Sequence, residues 1–160
     1  MKKAVFFGKA AALLLMMSLM FTMLTGCGSK KSVTTEEFMT AAGESGLQCV
    51  DVKEQFKDYD FITEATIAAA SDFSYQVEFY VFSDSSQAQS FYVNNKTNFD
   101  LNKGSVYTDV STSGKNYARY ALNSGDRYMF VAYVDNTVIY ADTDQTHKAN
   151  VEALVDALKY

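Results

Sequence analysis

The chain has 160 residues, with 14 Lys and Arg against 19 Asp and Glu, for a formal net charge of −5. That balance argues against nucleic-acid binding, which needs clustered basic side chains, and the length suits one ordinary domain. Tyr and Phe are plentiful, Trp and Pro are absent, and only Cys27 and Cys49 carry thiols, so the core must hold without a disulfide framework.

The first element in chain order is an export signal. Lys2 and Lys3 form a positive start, Ala10 to Leu24 is almost wholly apolar, and the run closes on Leu24-Thr25-Gly26-Cys27. The apolar stretch has the length of a signal h-region and falls short of the ~20 residues of a spanning helix. These four closing residues resemble the lipobox of bacterial lipoproteins. The resemblance implies that Cys27 receives a diacylglyceryl group, that the Gly26–Cys27 bond is cut, and that acylated Cys27 becomes the new N-terminus. Two acyl chains give durable anchoring where one does not. It further implies a cell-envelope location, held to the membrane on its extracytoplasmic side by lipid such as palmitate. Residues 1–26 are then the signal, 27–33 the lipidated Cys and a flexible polar linker, and 34–160 a single domain. Removal of Lys2, Lys3 and Lys9 leaves 11 basic residues against 19 acidic, a net charge of −8. Such a surface does not adhere broadly to anionic lipid, and the anchor is then the membrane attachment.

Beyond the linker, Thr34 and Glu37 fit a capping box, and Phe38, Ala41, Ala42 and Ser45 share one helical face, predicting a helix over about Thr35–Ser45 that stops at Gly46. A strand over Leu47–Lys53 follows, then an unassigned piece, Glu54–Phe61. Glu64–Ala70 and Ser74–Phe82 read as a hairpin, the second strand alternating Tyr75, Val77, Phe79 and Val81 with polar residues. Ser83-Asp84-Ser85-Ser86 offers caps for a helix whose face carries Ala88, Phe91, Tyr92, Asn95 and Phe99. Strands are then predicted at Val106–Val110, Tyr117–Leu122, Tyr128–Val134 and Thr137–Ala141, with turns at Asn123-Ser124-Gly125-Asp126 and Asp135-Asn136. Asp142-Thr143-Asp144 offers caps for a last helix with the stripe Val151, Leu154, Val155, Leu158.

The expected class is α+β: a mainly antiparallel sheet with about three helices packed on one face. Both halves run hairpin, Ser/Asp cap, amphipathic helix, which a duplication would explain. The order of the late elements loosely resembles the PsbP-type layout of some exported lipoproteins, a likeness of order that implies no function.

The residues offer little catalytic chemistry. The single histidine, His147, sits four residues before Val151, at the boundary of the last helix's apolar stripe, without ligand companions at metal-binding spacing. Cys49 reads as a buried thiol or, alternatively, a reactive or dimer-forming one, and a Cys49–His147 nucleophile pair stays open to a fold that brings them together. Asp58-Tyr59-Asp60 and Asp142-Thr143-Asp144 place carboxylates two apart, as turns and caps do and as hard cations can use. No phosphate loop, nucleophile elbow or Cys-x-x-Cys occurs, so no cofactor is indicated.

The most suggestive feature is aromatic. Tyr107, Tyr117, Tyr120, Tyr128, Tyr133 and Tyr140 sit on or beside the later strands, with Arg119 and Arg127 among them. With the turn at Ser124-Gly125, Arg119 shares a face with Tyr117 and stands opposite Phe130. Either Tyr117, Arg119, Tyr128 and Phe130 form a binding face for a protein, peptide or cell-wall glycan, or tyrosine simply serves as a good strand former. The preferred reading is a non-catalytic binding or scaffolding lipoprotein. The rival is an envelope enzyme or accessory acting on wall polymers through a carboxylate pair drawn from Glu64, Glu78 and Asp109. A two-lobed solute receptor is disfavoured by the chain length.

Overall fold

The computed structural model describes residues 28–160. The signal, Gly26 and Cys27 lie outside the described residues. Seven strands form one antiparallel sheet: β1 (Gln48–Asp51), β2 (Ile62–Ala69), β3 (Gln76–Phe82), β4 (Tyr107–Ser113), β5 (Tyr117–Ser124), β6 (Arg127–Val134) and β7 (Thr137–Asp144). Their spatial order is β1-β2-β3-β7-β6-β5-β4. Three helices accompany them: α1 (Thr35–Glu44), α2 (Ser85–Asn102) and α3 (Lys148–Ala157). The α+β class, the antiparallel sheet and the three helices are as anticipated.

The helices do not share a face. Phe38 and Ala42 of α1 and Val151, Leu154 and Val155 of α3 pack on one side, against Phe79, Phe130 and Ile139. On the other, Ala88, Tyr92 and Phe99 of α2 pack against Tyr80, Met129 and Val131. The cause lies in the central strands. Residues 128–134 are apolar on both strand faces, and all but Tyr133 are buried. A strand buried on both sides needs cover on both. The two hairpin–helix halves therefore cannot be related by a two-fold axis normal to the sheet, which would carry both helices to one side. What repeats is a local signal.

Helix starts follow the caps read from sequence. The Thr34 N–H donates to Glu37 Oε2 at 2.8 Å while Thr34 Oγ1 accepts from the Glu37 N–H at 3.2 Å, closing the capping box. Asp84 Oδ1 accepts from the N–H groups of Ser86 and Gln87 at 2.8 and 3.1 Å. At the last helix only Asp144 caps, through a 3-10 turn at Gln145–His147, and Asp142 belongs to β7. The first strand is shorter than expected because Val52 turns inward and Lys53–Phe56 coils into a 3-10 turn. A bulge between Ile62 and Glu64 in β2 brings Ile62 to the α2 side. Ser124 pairs with Arg127 across a Gly125-Asp126 turn, so Arg119 faces Ala132, and Phe130 faces Ala121. That moves Arg119's expected partner by two residues, which leaves both residues on the same face.

Candidate functional site

The four residues expected to form a binding face lie on one side of β5 and β6, and that side is interior. Tyr128 and Phe130 are 0% exposed and Tyr117 is 9% exposed, in the cluster completed by α1 and α3. This corrects the expectation of an open tyrosine face: α3 seats its apolar stripe there. Arg119 lies at the margin, its guanidinium 5.1 Å from the Phe130 ring centroid and 3.3 and 3.4 Å from Asp156 Oδ1 and the Tyr160 carbonyl. The Tyr128 hydroxyl donates to Glu152 Oε1 at 3.3 Å, and burial raises its pKa far above the usual range. These contacts fasten α3 to the sheet.

The acids proposed for catalysis are not assembled. Glu64 faces the α1 side, accepting from the Thr35 hydroxyl. Glu78 faces the α2 side, where it accepts from the Tyr80 hydroxyl and from Gln76 Nε2. Asp109 is exposed on β4, four strands from β3 and hence about 19 Å from Glu78 at ordinary strand spacing. His147 stacks on Tyr75 with ring centroids 4.8 Å apart. Cys49 Sγ lies 3.9 Å from the Met39 carbonyl, and burial pushes its pKa up, away from nucleophilic thiolate. Asp142 pairs with Arg127. Among the described residues no group of three or more His, Cys, Asp or Glu side chains is placed to hold a metal ion. No described helix is long and apolar enough to cross a membrane.

Two features escaped the sequence reading. The first is the seat of the linker. The Lys30 N–H donates to Asn116 Oδ1 at 2.9 Å, and Asn116 Nδ2 donates to the Lys30 carbonyl at 2.8 Å. Lys30 Nζ lies 4.9 Å from the Tyr117 ring centroid, and its pKa is lowered by burial and by nearby Arg119, against the opposing pull of Asp156. A Cβ on Gly114 would collide with the Tyr117 ring and come within 2.9 Å of the Gly28 carbonyl, so only glycine leaves room for both. From Lys30 onward the linker is thus fastened, not free. With α1 and the end of α3 it walls a groove lined by Lys30, Val33, Glu37, Tyr117, Asp156 and Tyr160. The reciprocal pairing of one Asn with a residue 86 positions away leaves no mark in sequence spacing.

The second is the edge strand β4, exposed on every residue and flanked by exposed Leu101 and Val106. Beside it, on the α2 side of β5, Asp100 accepts from Lys96 Nζ at 2.8 Å, Tyr120 Oη at 2.7 Å and Lys103 Nζ at 3.2 Å. Lys96 first, then Tyr120 and Lys103, hold the Asp100 pKa down to about 2. Lys103 in turn lies over the Tyr107 ring at 4.1 Å.

No family model and no curated protein matches the chain. Among solved structures, the chain is similar to one described as the extracellular domain of PknH from Mycobacterium tuberculosis. The likeness has a TM-score of 0.36 and 10% identity, and covers 79% of this chain and 92% of that one. At that level it bears on neither fold nor function.

Proposed function

We propose that the protein is a membrane-anchored, extracytoplasmic lipoprotein whose domain binds or scaffolds and does not catalyse. The observation that carries this reading is the order at the start of the chain: Lys2 and Lys3, an apolar run, Leu24-Thr25-Gly26-Cys27, then polar residues. Each part has a physical task. The positive start orients the segment, the apolar run engages the membrane without spanning it, and the small residues before Cys27 let an extended backbone enter a protease cleft.

The non-catalytic half of the proposal is supported by how the polar side chains are occupied. Arg119, Asp100, Asp142 and Asp144 are engaged in holding helices and strands together. A surface open to a protein or glycan partner is the β4 edge, one of the two sheet edges, whose ladder groups are open on one side and whose Tyr107 and Val110 are exposed. The test is metabolic labelling with a palmitate analogue. Label should enter the wild-type chain and be absent from Cys27→Ser, and globomycin should make a larger precursor accumulate. Unlabelled wild-type chain with no precursor under the inhibitor would overturn the proposal.

A further inference from the structure

We infer that the end of the sheet carrying the β4–β5 turn lies against the bilayer surface, with the strands pointing away from it. This rests on the acylation of Cys27 proposed above. The linker's attachment supplies the geometry. Gly28 sits beside Gly114 and Lys30 is clamped by Asn116, so the described chain begins at the β4–β5 turn. A residue joined to Gly28 by one trans peptide bond has its Cα about 3.8 Å away. A lipid on Cys27 therefore enters the membrane close to this turn, with only Gly28 and Ser29 between it and the clamped Lys30.

Hydrogen bonds join the other loops of that end into one rim. Asn116 Nδ2 donates to Asp135 Oδ1 at 2.9 Å, and the Asp135 N–H to the Asn116 carbonyl at 2.8 Å. Asn136 and Phe82 exchange bonds of 2.8 Å, and the Ser83 N–H donates to the Phe61 carbonyl at 2.8 Å. The rim thus runs from Lys30 through both turns to Phe61. Its side chains suit a headgroup zone. Tyr59 and Phe61 are 51% and 38% exposed, lie edge to ring at 5.7 Å, and supply aromatic area of the kind enriched at membrane interfaces. Lys30, Lys31 and Lys115 supply cations, Lys31 beside Glu37 Oε1 at 3.7 Å, while Asp84 and Asp135 keep their charges as cap and turn acceptors. Asp58 and Asp60 flank Tyr59 and oppose deep insertion, which keeps the rim at headgroup depth. The far end, with the Gly125-Asp126 turn, is about 23 Å away along β5.

The experiment uses the processed full chain carrying Cys49→Ser and one new thiol, Lys115→Cys at the rim or Asp126→Cys at the far end. Each is labelled with a fluorophore, and the protein is added to preformed phosphatidylglycerol–phosphatidylethanolamine vesicles containing a headgroup-nitroxide lipid. The label at position 115 should be quenched at least about threefold more than that at 126. Asn116→Ala should shrink the difference while the protein still floats with the vesicles. Flotation with equal quenching at both positions overturns the orientation and leaves the anchor standing. Failure to float, with no palmitate label, overturns both.

Discussion

Single residues here exchange the roles that chemistry alone would give them. Tyr128 and Phe130 look like interface anchors and are core, so Phe130→Ala should cost about 3–5 kcal/mol of stability in urea unfolding, the usual penalty for emptying an aromatic site. A binding-face residue would lose only partner affinity. Gly114 looks like an ordinary turn residue and is a packing requirement. Gly114→Ala should push the Tyr117 ring aside, loosen Lys30, and lower stability by about 1–3 kcal/mol. A protease-sensitivity assay should then show cleavage near Lys30 and Lys31 in the variant and little in the wild type.

At the scale of elements, Asp100 joins α2 to the outer sheet. Its folded pKa of about 2 lies below the unfolded value near 3.9, so the stability it contributes is fully present above about pH 4 and is lost as pH falls toward 2. Allowing for partial solvent screening, Asp100→Asn should cost about 1–2 kcal/mol at pH 7 and remove that part of the acid sensitivity, measured as urea midpoints from pH 2 to 7. Elements of this kind were well marked in the sequence where a side chain serves its own neighbourhood. Thr34-x-x-Glu37, Asp84 and the Val151–Leu158 stripe act within one or two turns, and the helices begin and pack as their spacing dictates. Strand ends were less legible, because the bulge at Ile62 and the inward turn of Val52 depend on distant strands.

At the scale of the whole molecule, the division of helices between two faces was present in the sequence but easily passed over. Residues 128–134 show no polar alternation, and that absence is itself the mark of a strand covered on both sides. Reading β5 and β6 as one-sided made a free tyrosine face out of what α3 covers. The outermost strands are instead β1 and β4, with β4 exposed on every residue, and no local pattern distinguishes an outermost strand from its neighbour. The linker shows the same limit. Gly28-Ser29-Lys30-Lys31-Ser32 has a flexible composition, yet Asn116 holds its middle, and that pairing sets how close the domain can stand to any lipid upstream.

The proposed anchoring and place of the protein turn on what Cys27 carries. Intact-mass spectrometry of protein extracted from the membrane fraction reads it directly. The expected species starts at Cys27 and exceeds the polypeptide mass by a thioether-linked diacylglyceryl group, with or without an acyl chain on its amine. A species that retains residues 1–26, or one that starts elsewhere with an unmodified thiol, would contradict it.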